Sequence, residues 1–223
     1  MPEWSFGEGS FRRLIRAAGI AAVVSGLLDI VYFVAHPSGG EPPAAHAING
    51  WYAPLHGLEI LGQLSFLLAV TGMYLVQNRV TGRLGFAGYV LLLAGTIFVI
   101  GTLWGDGFFS PVLASKTPGL LDHGRDLYVG ALFWASGAMV GTITLGFLMF
   151  GAANLRARVF PRTAVAMMTL GGVMVPLPPP PYSKLPWAIF VVGAIILAIG
   201  LIGMGLALAK LGAGDFPHDA TST

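Results

Sequence analysis

Apolar residues along this chain come in long blocks, each closed by a short cluster rich in Arg, Pro, Gly or Asp. A membrane-crossing helix needs roughly 20 mainly apolar residues. Six blocks reach or approach that length, at residues 14–35, 52–76, 84–104, 127–153, 164–176 and 187–209. The fifth is short. Pro176 and the run from Pro178 to Pro181 cannot continue it, because proline lacks the backbone N–H and clashes with the preceding turn. The pattern predicts a short fifth helix followed by an extended polyproline segment at the membrane interface. The expected fold is all-α: one polytopic membrane bundle of about six transmembrane helices within residues 1–211. A polar tail at 212–223 is expected to be disordered.

Composition agrees with the blocks. Hydrophobic residues make up 55% and charged residues 10%, with a mean hydropathy of +0.77, whereas a soluble domain carries about 25% charged residues. The net charge of +2 comes from Arg at block boundaries rather than from a basic patch, so no nucleic-acid partner is expected. There is no cysteine, which excludes disulfides, thiol catalysis, thiolate zinc sites and iron–sulfur clusters. Nine Arg against three Lys, with abundant Ala and Gly, is the usage of a GC-rich bacterium. The expected location is a bacterial cytoplasmic membrane.

Basic residues also orient the blocks. With the N-terminus in the cytoplasm, Arg12, Arg13, Arg16, Arg79, Arg83, Arg156, Arg158, Arg162 and Lys210 all fall inside, and Lys116, Arg125 and Lys184 fall outside. Six crossings then return the C-terminus to the cytoplasm. The first block has a basic start but no small-residue cleavage site after it, and is read as uncleaved. This orientation gathers His36, His46, His56 and His123 near the outer face, together with Asp29, Glu59, Asp106, Asp122 and Asp126.

Carboxyl groups inside apolar blocks are the candidate chemistry, since each costs several kcal/mol in hydrocarbon and marks a functional site by default. Glu59 lies in the second block. Tyr52, His56, Glu59 and Gln63 recur at helical spacing and share one helix face, which must meet protein or a water-filled cavity rather than lipid. The plainer alternative is a polar seam that pins helix packing. Asp29, with Ser25 and Tyr32, forms a shorter stripe on the first block at a depth matching Glu59. Two adjoining carboxyls cannot both ionise in a low dielectric, so Asp29 and Glu59 would share a proton if they meet. Asp106, flanked by Gly105 and Gly107 at the end of the third block, is the other candidate partner. His56 and Gln63 are expected to orient the acid. Trp104, Phe108, Tyr128, Phe133 and Trp134 are expected either to roof a pocket or to form an interfacial belt.

Several chemistries lack their signatures. There is no phosphate-binding glycine loop, no nucleophile elbow, no zinc-protease helix and no aspartate-rich diphosphate motif. His56 and Glu59 reverse the Glu-x-x-His order of di-iron bundles, with no second copy, and no His-x-x-x-His pair occurs. No metal and no cofactor is expected.

The whole chain resembles a loose group of small bacterial multi-span membrane proteins. The likeness lies in Trp51 and His56 opening the second block, Gly82-Arg83-Leu84-Gly85 opening the third, and Leu155-Arg156-Ala157-Arg158-Val159-Phe160-Pro161-Arg162 before the fifth. It also resembles the integral-membrane terpene cyclases of meroterpenoid and indole-terpenoid pathways, in size, in aromatic content and in an acidic residue on the second span. The last block has no acidic residue, where that family tends to place a second one, so the carry-over rests on Glu59. The resemblance implies a membrane enzyme that protonates a prenyl or terpenoid substrate and cyclises it in a mid-membrane pocket. Glu59 would be the acid, Asp29 or Asp106 its partner, and aromatic faces would stabilise the carbocation. The partner would then be a lipid-soluble small molecule. The alternatives are a proton-coupled carrier or receptor and a structural subunit of a membrane complex.

Overall fold

The computed structural model describes residues 7–37, 43–122, 131–176 and 186–214. Tyr128, the Phe133 side chain, the stretch 123–126, the proline run 178–181 and the tail beyond 214 lie outside the described residues. The described chain is helical: α1 (Glu8–Ala35), α2 (Pro43–Ala47), α3 (Tyr52–Trp104), a π-helical turn (Gly105–Phe109), α4 (Ser110–Lys116), α5 (Pro118–Asp122), α6 (Ala131–Ala157), α7 (Arg162–Met174) and α8 (Trp187–Ala213). Among the described residues, four helices are long and apolar enough to cross a membrane: Glu8–Ala35, Tyr52–Lys116, Trp134–Ala157 and Trp187–Ala213. With 13 residues, α7 is as short as its sequence suggests. By contrast α8 continues to Ala213, through the first residues of the expected tail, and ends on Gly214 in the left-handed conformation.

The long α3 is not straight. Gly82 has φ 58° and ψ −152°, a backbone region open essentially to glycine alone. The chain reverses there. Thr71 and Tyr89 hydroxyls lie 3.2 Å apart, Tyr74 stacks on Tyr89 at 4.5 Å, Leu55 packs with Leu103, and the Tyr52 hydroxyl reaches Asp106. These pairs converge on Gly82, so residues 52–81 and 83–104 form an antiparallel helical hairpin.

The hairpin joins a ring in which α1 packs on α8 and α3, α3 on α6, α6 on α7, and α7 on α8. Close approach of α1 and α8 depends on paired glycines. A Cβ on Gly19 would stand 2.6 Å from the Gly205 carbonyl oxygen, and one on Gly205 equally close to that of Gly19. In a membrane, where burial of apolar surface between helices gains little, such contacts carry the association. An apolar core of Ile15, Phe66, Val70, Met73, Phe147, Phe150, Met168 and Leu201 fills one half of the ring.

Polarity is inverted relative to a soluble domain. Ser25, Asp29, His56, Glu59, Gln77, Thr96 and Asn154 are buried, while Ile20, Leu27, Val34, Leu61, Ile97 and Leu206 are exposed. That is the arrangement expected of helices facing hydrocarbon outward. The two ends also differ. Gly212 abuts the Arg16 backbone, Gly214 abuts the Arg12 side chain, and Gln77 bonds Asn154. The basic residues of α1, the hairpin turn, the α6–α7 connection and Lys210 therefore share one end. At the other end, Trp187 donates from Nε1 to the Phe33 carbonyl at 3.0 Å, beside His36, Tyr52 and Asp106.

Candidate functional site

Helical spacing puts Asp29 and Tyr32 on one face of α1, and Tyr52, His56, Glu59 and Gln63 on one face of α3. Packing turns these two faces toward each other. The stripes then divide into two polar clusters, one deep and one near the His36 end.

The deep cluster is Asp29, Glu59 and Gln63. Gln63 donates from Nε2 to Glu59 Oε1 at 2.7 Å and to Asp29 Oδ1 at 3.4 Å. Asp29 is 3% exposed and Glu59 2%, and among the described residues no Lys or Arg pairs with either. Glu59 Oε2 is buried without a hydrogen-bond partner, as is Ser25 Oγ one turn below Asp29. Gly62 supplies the space beside that oxygen: a Cβ there would lie 3.6 Å from Glu59 Oε2 and 3.1 Å from the Leu28 Cβ. Of the two partners expected for Glu59, the structure places Asp29 beside it.

Asp106 belongs to the second cluster. It sits in the π-helical turn, a distortion that recurs at functional sites. Its Oδ1 accepts from the Tyr52 hydroxyl at 2.9 Å and from the Ser110 hydroxyl at 3.0 Å, and its Oδ2 lies 3.4 Å from His56 Nε2. His56 is fully buried, and its Nδ1 lies 2.8 Å from the Tyr52 carbonyl oxygen. A carbonyl only accepts, so Nδ1 donates there, while Nε2 faces Asp106 and the Tyr32 hydroxyl, 3.3 Å away. Gly107 lets the turn lie flat on this ring, since a Cβ there would come within 2.9 Å of His56 Cγ. His56 was expected to orient Glu59; its partners are instead Tyr52, Tyr32 and Asp106.

His36 caps α1 and lies among rings. It stacks on Trp187 at 5.1 Å, with Tyr32 at 5.0 Å, His56 at 5.4 Å and Tyr52 at 5.7 Å. Burial, reinforced by His56, lowers its pKa to about 4 and keeps it neutral, although Asp106 acts in the opposite sense. Its Nδ1 has no hydrogen-bond partner.

The expected aromatic roof is elsewhere. Trp104 is 53% exposed, Phe108 44% and Trp134 74%, so these rings face outward as an interfacial belt does. Their helix positions turn them away from both clusters. The rings that do surround polar groups are Tyr32, His36, Tyr52 and Trp187. Of these, Trp187 and the Asp106 partner Ser110 carried no sequence signal beyond position, since both join the site through tertiary contact. A groove of about 390 Å³ opens next to the site, between the end of α1 and the start of α3, with Val31, Tyr52, Leu55 and Leu58 in its wall.

A third polar pair, absent from the sequence-based expectations, lies toward the basic end. Asn154 donates from Nδ2 to the Phe150 carbonyl at 2.7 Å, which turns its Oδ1 to accept from Gln77 Nε2 at 2.6 Å. Their places immediately after the second and fourth blocks were the available signal.

No protein-family model, curated protein or solved structure matches the chain.

Proposed function

We propose that this chain is a membrane-embedded acid: Asp29 and Glu59 hold one proton between them and deliver it to a lipid-soluble substrate. The observation that carries the reading is two carboxyls from separate helices sharing the Gln63 amide, with no cation beside them among the described residues. A pair of bare carboxylates at that depth would be very costly, and a shared proton removes most of the cost. Glu59 Oε2 is buried and accepts from no donor among the described residues, so it can itself carry the proton.

In this reading the chain crosses the membrane six times. A straight 65-residue helix would be roughly 98 Å long, about three times the hydrocarbon thickness. With the reversal at Gly82 it supplies two crossings instead. The short α7 is counted as the sixth crossing. The arginine-rich end is cytoplasmic by the positive-inside rule, which puts both termini inside and opens the carboxyl pair toward the outer half of the bilayer.

Two activities use such a proton. Proton-coupled binding or transport of a small molecule needs only a carboxyl that loads and unloads. Acid-initiated cyclisation of a prenyl substrate needs in addition a free acid oxygen against an apolar wall. Burial of Glu59 Oε2 beside Leu28 and Gly62 favours this second activity, while the outward Trp104, Phe108 and Trp134 leave carbocation stabilisation to Tyr32 and Tyr52.

Infrared difference spectroscopy on purified protein tests the shared proton. The carbonyl stretch of a protonated carboxylic acid is expected in wild type and lost in Glu59→Gln. Its absence from folded wild type would defeat the reading. Lipid extracts from cells fed prenylated precursors then separate the activities: an isomeric product of unchanged mass, made by wild type and not by Glu59→Gln, marks cyclisation.

A further inference from the structure

The basic end of the bundle has an opening that the carboxyl pair does not use. A cleft of about 520 Å³ lies between the start of α1 and residues 75–80 of α3. Phe11, Leu75, Val76 and Val80 supply its apolar lining, and Gln77, Asn78 and Arg79 its polar lining. We propose that this cleft binds one anionic phospholipid of the phosphatidylglycerol type, with its phosphate on Arg79 and its glycerol hydroxyls toward Gln77 and Asn78. The inference stands independently of the acid reading.

Depth comes first. The second apolar block ends at residue 76 and the chain reverses at Gly82, so residues 75–80 lead from the apolar exterior to the basic end. A phospholipid in the bilayer has its own junction of acyl chain and headgroup at such a level. Phe11, Leu75 and Val76 are partly buried against the core, while Asn78, Arg79 and Val80 are exposed. From Leu75 an outward stripe continues at helical spacing through Leu68, Leu64 and Leu61, an apolar track for an acyl chain.

Charge selects the headgroup. No acidic side chain lines the cleft. Glu8, one turn before Phe11 on α1, is engaged by Arg12. Arg79 has no carboxylate partner among the described residues. A guanidinium matches a phosphate with two parallel N–H donors, and clustered arginines at a membrane boundary favour anionic over zwitterionic lipid.

Gln77 narrows the choice further. Its side chain is buried, its Nε2 donates to Asn154 Oδ1 at 2.6 Å, and its Oε1 has no hydrogen-bond partner. An amide oxygen only accepts, so a ligand that satisfies it must bring a donor. A trimethylated choline brings none. A glycerol headgroup brings hydroxyls, and the exposed Asn78 amide beside Gln77 can both donate to them and accept from them.

The test uses full-length protein in detergent, delipidated, titrated with dioleoyl lipids and followed by native mass spectrometry. Phosphatidylglycerol is expected to bind as one lipid per chain, at least about tenfold more tightly than phosphatidylcholine, the gain of one charge-assisted contact. Phosphatidylmethanol, with the same charge and no hydroxyl, should fall between them. Arg79→Gln, at an exposed position, should lose the preference. Arg162→Gln removes a cation at the same end that does not line the cleft, and should keep it. Glycerophosphoglycerol, the same headgroup without chains, should not displace the lipid at equal concentration. The proposal is overturned by equal affinity for phosphatidylglycerol and phosphatidylcholine, or by phosphatidylmethanol binding as tightly as phosphatidylglycerol. An equal loss in Arg79→Gln and Arg162→Gln, or displacement by the chain-free headgroup, overturns it as well.

Discussion

The Tyr52 hydroxyl donates to Asp106 Oδ1 at 2.9 Å across 54 positions of chain, and this bond closes the open end of the hairpin that Gly82 starts. It also sets Asp106 against His56. Tyr52→Phe keeps the ring and removes the donor. The expected loss is about 1.5–3 kcal/mol, the range for hydrogen bonds to charged groups. Thermal unfolding in detergent measures it. A Ser110→Ala variant removes the second donor to the same oxygen, and the double variant should depart from additivity because both donors share one acceptor. Strict additivity would mean that Asp106 is not held by the two together.

Gly82 carries the reversal of α3. Any Cβ at φ 58° and ψ −152° is strained, so Gly82→Ala should lower stability by about 1–3 kcal/mol. Gly57, with nothing within 4 Å of an added Cβ and a place in a regular helix, is the control. Gly57→Ala should be neutral or stabilising by up to about 1 kcal/mol. Equal unfolding temperatures for Gly82→Ala and Gly57→Ala would remove the turn from the account.

The Gln77–Asn154 bond joins the hairpin to α6 at the basic end. Gln77→Leu leaves the Asn154 Oδ1 buried and unpaired, at a cost of about 1–3 kcal/mol. Replacing both partners with Leu should recover part of that loss, because no orphaned group remains. A double variant less stable than Gln77→Leu would contradict this.

Asp29→Asn and Glu59→Gln each put an amide where a protonated acid would stand. With one proton already shared by the pair, each variant should fold, with stability within about 1 kcal/mol of wild type. Loss of activity with an unchanged unfolding curve is the expected signature. A merely structural pair would instead leave activity in place, and the substrate assay distinguishes the two.

Much of this protein is written in its sequence. Long apolar blocks can only be satisfied as helices in hydrocarbon, because every backbone polar group must bond within its own segment. That physics made the bundle, the short α7 and the exposed apolar exterior legible. Gly82 was visible as a residue between two blocks, and the burial of Asp29 and Glu59 followed from their place inside apolar stretches. Helical periodicity also showed which residues share one face of one helix.

It did not show which face of which neighbour they meet. That choice depends on the rotation and vertical offset of packed helices, which the Gly19–Gly205 approach and the Gly82 reversal decide. Asp29 rather than Asp106 became the companion of Glu59 because α1, at that depth, sits against residues 59–63. Asp106 lies a full helical turn higher, in a π-helical turn no local pattern announced, so it took His56, Tyr52 and Ser110. Trp104, Phe108 and Trp134 turned outward for the same reason: an aromatic ring in an apolar block suits lipid and protein about equally. Periodicity assigns a side chain to a face of its helix, and only packing decides what that face meets.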